Sequence, residues 1–303
     1  MSVFHRQVLN KMKVLVTGAT GFTGSHTVPY LLEEDLDIYC FVRESSDLSC
    51  LPLGKVNLVY GDLDDKSSLN KALKKVDTLV NIASLGFGHA PGIIKAAVEE
   101  KINRVIFFST TSIYTTLNPK SKKVRLDAEK RIKDSSLNFT ILRPTMIYGS
   151  SRDRNICKFI RFINKSPIFP VFGSGDNKQQ PVYVNDVAAS VVNILRSDET
   201  IGKSYNISGG TVLTLNELVE LIAKFLGNEI YRLHLPSKPM VKLFRFLEIL
   251  SLPLPISSEQ IQRLNEDKAF DHDRATRDFG YSPIPIENGL RNELLEMGLI
   301  NGS

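Results

Sequence analysis

Three glycines stand three residues apart, at Gly18, Gly21 and Gly24, directly after the apolar run Val14-Leu15-Val16. The run reads as a buried parallel strand, and the apolar positions Val28, Leu31 and Leu32 that follow have helical spacing. Strand, glycine turn and helix in that order make a phosphate-binding βα unit. The first glycine permits the tight turn, and the second lets backbone N–H groups approach a pyrophosphate. The third lets the helix pack close to the strand, so that its N-terminus points at the anion. Thr20, Phe22 and Thr23 fill the positions between the glycines and share that contact surface.

The next hundred residues repeat the alternation. Strand patterns are expected at 13–16, 38–42, 56–59, 78–82, 104–108 and 139–142, with helices through Leu69–Leu73, Ile93–Glu100 and Glu129–Ser135. Repeated βα units predict a Rossmann-type α/β fold, a doubly wound parallel sheet covered by helices on both faces. Beyond Pro144 the pattern loosens. Helices are expected at 155–163, 186–195 and 215–226, the last opened by Thr214 and Glu217 as a capping box, with short strands at 181–184 and 205–207. Residues 1–12 read as an N-terminal extension, 13–150 as the nucleotide-binding domain and 151–303 as a smaller C-terminal α/β lobe interleaved with it. The apolar positions Met240, Leu243, Phe244, Leu247 and Leu250 within 236–255 suggest a helix packed over the lobe core or the ligand cleft. Lys242 and Arg245 beside them leave a membrane-surface role as the other reading.

Bulk properties narrow the class. Of 303 residues, 42% are hydrophobic and 23% charged, which is ordinary for a globular protein, and the net charge of +5 has no long basic block. Such a charge suits a small anionic ligand and argues against nucleic acid. Cys40, Cys50 and Cys157 are odd in number and widely spaced, so neither a disulfide framework nor a metal site is expected, and the compartment reads as reducing and cytoplasmic. No apolar run reaches the length of a membrane span, and residues 1–11 contain no signal-peptide core. Asp271-His272-Asp273 suggests a metal only until a third ligand is sought; a turn opening a helix at 274–279 is the simpler reading.

Four further stretches are ordered along the chain: Phe107–Tyr114, Leu142–Gly149, Gln180–Ala188 and Tyr205–Gly210. With the Gly-x-x-Gly-x-x-Gly turn they resemble the short-chain dehydrogenase/reductase superfamily, in particular its extended and atypical branches, which include nucleotide-sugar epimerases and dehydratases. The resemblance implies that Thr110 holds the place of the family's catalytic serine. It implies that Asp62-Leu63 meets the adenine, that Ala83-Ser84 lies beside the cofactor, and that Pro144 belongs to the cofactor-binding Arg-Pro stretch. Where an NAD-preferring chain carries an acid after the second strand, this one carries Arg43. A guanidinium pairs with a 2′-phosphate, so NADP(H) is expected, with NAD the alternative.

The departure from the family is equally specific. Its active members carry Tyr-x-x-x-Lys on the helix after strand five, and no tyrosine of this chain is followed four residues later by lysine. Counting back from Arg143-Pro144 places Ser121 and Arg125 at those positions. A serine hydroxyl is a far weaker acid than a phenol, so Tyr114, with Lys122 or Lys123 nearby, is the candidate proton donor. Arg152 and Arg154, with Lys158 and Arg161, are candidates for a substrate diphosphate. The expected function is hydride transfer on a nucleotide sugar, of epimerase, dehydratase or 4-keto reductase type, by a monomer or homodimer. The alternative is an NADP(H)-binding redox sensor or assembly factor without turnover.

Overall fold

A computed structural model describes residues 11–252 and 256–301. The chain opens with β1 (Met12–Thr17), α1 (Phe22–Leu32), β2 (Leu36–Val42), β3 (Asn57–Tyr60) and α2 (Lys66–Leu73). It continues through β4 (Thr78–Asn81), α3 (Ala90–Glu99), β5 (Arg104–Phe108), α4 (Lys120–Lys133) and β6 (Phe139–Pro144). Next come β7 (Ile147–Tyr148), α5 (Ile156–Ile163), β8 (Ile168–Phe172), β9 (Lys178–Gln179) and β10 (Val182–Tyr183). α6 (Val184–Leu195), β11 (Lys203–Ile207), β12 (Leu213–Thr214), α7 (Leu215–Leu226) and β13 (Tyr231–Leu235) follow. The last elements are α8 (Ser237–Ile249), α9 (Ser258–Leu264), α10 (Asp273–Phe279) and α11 (Ile286–Glu296).

The central sheet has seven strands in the order β11-β6-β5-β4-β1-β2-β3. The pairings of β1 with β2 and β4, and of β2 with β3, β4 with β5 and β5 with β6, are all parallel. Both faces are covered, which is why the strands read as unbroken apolar runs: Val14, Leu15 and Val16 all have zero exposure. Leu15, Leu79, Val105, Phe107 and Ile141 of the strands share one core with Leu69 and Leu73 of α2, Ile93 of α3 and Ile132 of α4. The strand order reverses between β1 and β4, the switch point at whose carboxyl ends ligands of open α/β sheets bind.

Two compact units are present and interleave in sequence, with neither ending at residue 150. The first runs up to Ser109 and takes in Val124–Leu142 and Ala188–Ser204; the second comprises Thr110–Lys123, Arg143–Val187 and the chain from Tyr205. The second contains short two-stranded sheets, β10 with β7, β12 with β9 and β13 with β8. The capping box of Thr214 and Glu217 forms as expected: Glu217 N donates to Thr214 Oγ1 at 3.1 Å and Thr214 N to Glu217 Oε2 at 2.6 Å.

Two helices depart from the sequence reading. α4 begins at Lys120 rather than Glu129, because its first turns bury nothing and therefore carry no apolar stripe; Ala128, Glu129 and Ile132 are its buried residues. α8 forms where the 236–255 segment predicts a helix, but none of its residues is fully buried; Val241, Phe244 and Leu247 are half-buried, and Phe244 packs against Phe172 of β8. Residues 253–255 of that segment lie outside the described residues, as do residues 1–10 of the expected N-terminal extension.

Candidate functional site

In the first unit, the glycine turn is built by three different demands. Gly18 has φ 70°, and a Cβ there would stand 2.8 Å from the Ala83 backbone nitrogen, so both conformation and the loop after β4 require glycine. A Cβ on Gly24 would stand 2.1 Å from Gly18 O and 2.8 Å from Ala19 Cα, because the first turn of α1 folds back onto the end of β1. Gly21 is different. Its φ of −71° and ψ of 168° suit any residue, and its Cβ would meet only Gly18 O, at 3.2 Å. Backbone conformation does not require glycine at 21, and a Cβ there needs Gly18 O to give by only a few tenths of an ångström; the space beyond it is a cradle that a longer side chain would fill.

That cradle faces an open helix end. Gly21 is the N-cap of α1, no side chain caps the helix, and its first turn holds no acid. Uncapped N–H groups with the positive end of the helix dipole are an anion site, which fits a dinucleotide pyrophosphate. The neighbouring loop is fixed from beneath: Thr17 Oγ1 donates to Asn81 Oδ1 at 2.8 Å, and Asn81 Nδ2 donates to Ala83 O at 3.1 Å, with Thr17 and Asn81 both fully buried. Ser84 Oγ accepts from Gly86 N at 3.2 Å and caps a 3₁₀ turn at Leu85–Phe87. Arg125 lays its guanidinium over Gly86, 3.0 Å from where a Cβ would be.

The adenosine-side candidates sit at the ends of β2 and β3. Arg43 is exposed directly after β2, in a turn closed by its N–H donating to Ser46 Oγ at 3.1 Å and by Ser46 N donating to Arg43 O at 2.9 Å. Cys50 Sγ lies 3.6 Å from Thr20 O and ties this loop to the glycine turn. Asp62 spends one carboxylate oxygen on Asp64 N at 3.0 Å, and Leu63 is half-buried against the core. Ser109, at the end of β5, buries a hydroxyl that has no hydrogen-bond partner among the described residues. Nothing in the sequence singles out Ser109 over its neighbour Thr110, since burial without a partner leaves no sequence signal.

The second unit holds the proposed acid. Thr110 caps a 3₁₀ turn at Thr111–Tyr114 by accepting from Ser112 N at 3.2 Å, which leaves its own O–H to donate. Pro144, buried at the end of β6, accepts from Thr111 Oγ1 at 3.4 Å. Tyr114 is 46% exposed. Its hydroxyl accepts from Arg143 Nη1 at 2.9 Å and donates to Asn206 Oδ1 at 3.3 Å, and its ring lies 5.3 Å from that of Phe270. Lys122, expected beside Tyr114, is instead engaged by backbone: its ammonium donates to the carbonyls of Thr115 and Leu117. The cation at the Tyr114 hydroxyl is Arg143, which sequence distance conceals. Glu266 secures the same segment from the other side, accepting from Thr116 N at 2.7 Å and from the hydroxyls of Thr115 and Thr116. Burial alone would raise its carboxyl, but these hydrogen bonds hold it below the usual range.

Phe270 also lines a shallow pocket of about 280 Å³ with Gln180, Val212, Ala269, Asp271 and His272. Ser208 Oγ donates to Phe270 O at 2.6 Å and meets His272 Nδ1 at 2.7 Å, so the ring proton sits on Nδ1. Asp271 Oδ1 accepts from Asp273 N at 2.7 Å, opening α10 as the turn reading expects, and no metal-binding cluster exists among the described residues. Arg152 and Arg154 are exposed between β7 and α5. Arg161 donates to Ser151 O at 2.7 Å, a loop carbonyl, and is therefore spent locally.

A profile of the NAD(P)H-binding family matches residues 18–198, more than half of the chain. The chain belongs to that family. It is similar to the mitochondrial NADH dehydrogenase [ubiquinone] 1 alpha subcomplex subunit 9 of Arabidopsis thaliana, at 25% identity over 90% of this chain and 73% of that protein. It is similar also to UDP-glucose 4-epimerase of Vibrio cholerae, at 22% identity over 74% of this chain and 78% of that protein. In fold it matches the crystal structure of UDP-glucose 4-epimerase from Thermotoga maritima with UDP-glucose, with a TM-score of 0.76, 17% identity, and 95% and 99% of the two chains covered.

Proposed function

We propose that this chain binds NADP(H) in preference to NAD(H) and acts as an oxidoreductase or epimerase on a nucleotide sugar. The observation that carries the chemistry is the Tyr114 hydroxyl, half-exposed and held by Arg143 and Asn206. Bound NAD(P)(H) supplies or accepts a hydride at its nicotinamide ring. Thr110, which accepts from Ser112 N through one lone pair, donates its hydroxyl proton to a substrate oxygen and orients it. Tyr114 gives its proton to that oxygen instead of to Asn206, and the Arg143 guanidinium stabilises the phenolate left behind. Exposed Arg152 and Arg154 are the cations offered to a diphosphate. Support for the substrate class comes from similarity to UDP-glucose 4-epimerases. Arg43 supports the cofactor preference.

A second reading, a cofactor-binding subunit without turnover, is favoured by one specific observation. No tyrosine of the sequence is followed four residues later by lysine, and Lys122 is engaged by backbone carbonyls. Similarity to a protein named as a subunit of NADH dehydrogenase agrees with it. The deciding experiment measures NADPH and NADH affinity by fluorescence titration, then NADPH oxidation with a panel of 4-keto nucleotide sugars and epimerisation by NMR. Turnover with any member supports the enzyme; tight cofactor binding with none supports the subunit.

A further inference from the structure

α8 and the residues after it form a surface that the rest of the described chain does not use. One side of the helix is anchored. Phe244 packs edge-on against Phe172 of β8 with ring centroids 5.8 Å apart. Glu248, the one acid on the helix, accepts from Ser258 N at 2.6 Å and from Ser258 Oγ at 2.7 Å, which turns its charge toward α9. The other side is apolar and bare: Phe246 is 58% exposed and Ile249 75%, with Leu243, Leu250 and Leu252 about half exposed. At about 100° per residue, Leu243, Phe246, Ile249 and Leu250 share an arc of about 120°. Lys242 falls within that arc, while Lys238 and Arg245 border it on one edge, and all three cations are exposed.

Single exposed hydrophobic residues are normal, but three on one face of a 13-residue helix with no buried residue, and a fourth at its C-cap, are not. We propose that this face docks the protein peripherally onto an anionic phospholipid surface, with Phe246 and Ile249 entering the acyl boundary and Lys238, Lys242 and Arg245 meeting the headgroup phosphates. Charge decides between occupants. Lys238 and Lys242 form no ion pair among the described residues, and the helix's one carboxylate is turned away. Lysine is depleted at protein–protein interfaces, whereas an apolar face carrying Lys242 within it, whose long stem can snorkel, and bordered by Lys238 and Arg245 suits the headgroup layer. No helix of the described chain is long and apolar enough to cross a membrane, so the contact is with the surface.

The test is sedimentation of the full chain with vesicles of pure phosphatidylcholine and of phosphatidylcholine mixed with phosphatidylglycerol. Binding is expected to the mixed vesicles, weakening with salt, and to fall about fivefold for each of Lys238→Ala, Lys242→Ala and Arg245→Ala. Phe246→Glu and Ile249→Glu are expected to abolish it while leaving the melting temperature and NADPH binding unchanged, since both side chains are exposed. Absence of binding to the mixed vesicles overturns the proposal, as does binding that survives Phe246→Glu. Self-association that Phe246→Glu abolishes, without vesicle binding, overturns it in favour of a second copy of the chain.

Discussion

Gly21→Val separates what the glycine turn does for the fold from what it does for the ligand. The Gly21 backbone lies in the extended region, where valine is at ease, and its Cβ would touch one atom at 3.2 Å. Replacing an N-cap glycine by an apolar residue costs about 1 kcal/mol or less. For a chain of this size that lowers the melting temperature by roughly 2–4 °C. The branched side chain, however, fills the approach to the uncapped N–H groups of α1. Losing two charge-assisted hydrogen bonds to a pyrophosphate, at about 1.5–3 kcal/mol each, weakens binding by more than about 100-fold. Gly24→Ala is the control with the opposite signature. Its methyl would sit 2.1 Å from Gly18 O and 2.8 Å from Ala19 Cα, both backbone atoms that cannot swing aside, so the variant should be destabilised by several times more than Gly21→Val. NADPH fluorescence titration and thermal melts of both variants distinguish the two roles. Gly21→Val that remains folded and binds NADPH within a few-fold of wild type would refute the reasoning, because the cradle would then not be where the anion enters.

Three other outcomes are expected. Arg43→Ala should weaken NADPH by about 1.5–3 kcal/mol and leave NADH unchanged, read by parallel titrations; equal losses for both cofactors would remove the 2′-phosphate role. Tyr114→Phe should lower turnover about 100-fold or more with little change in NADPH affinity, whereas Ser121→Ala should leave turnover intact, as NADPH-oxidation kinetics will show. Glu293 is fully buried, and burial first, with Asp153 second, pushes its carboxyl up to about 10. A pKa raised on folding contributes stability at low pH that is lost as pH rises toward that value. Melts between about pH 5 and about pH 9 should therefore fall more steeply for wild type than for Glu293→Gln.

The legible part of the fold is the part where local pattern and burial agree. β1, β4, β5 and β6 are largely buried on both faces, so their apolar runs announce them, and β5 falls on the residues read from sequence. The β8 and β13 pair is quiet by comparison. Pro170 sits within β8, and Arg232 and His234 alternate along β13, where Tyr231 and Leu233 face outward. α8 shows the limit of periodicity. Its apolar spacing correctly predicts a helix, but spacing records only that a face wants cover. Whether another segment of the same chain supplies that cover is a tertiary fact, and in α8 the helix is anchored by Phe244 alone among its aromatic residues.

The same distinction governs the candidate site. Turn glycines are legible because they answer to backbone geometry within a few residues, yet their individual duties are not: Gly18 serves the loop at Ala83 and Gly24 the end of β1, whereas a Cβ on Gly21 would meet only Gly18 O. The partner of Tyr114 illustrates the harder case. Lys122 is eight residues away and lies in the same unit, but its ammonium is drawn to the Thr115 and Leu117 carbonyls in the segment before α4. Arg143 is 29 residues away and arrives because β6 runs parallel to β5, whose end leads into the turn carrying Tyr114. A proton donor read from sequence proximity would thus be assigned the wrong cation. The two assignments differ in a measurable way: Arg143→Met should remove as much turnover as Tyr114→Phe, while Lys122→Met should loosen the 115–117 segment and lower thermal stability with a smaller effect on rate. Comparable rate losses in both variants would return Lys122 to the proton-transfer step, and Arg143 would no longer be the one cation that serves the Tyr114 hydroxyl.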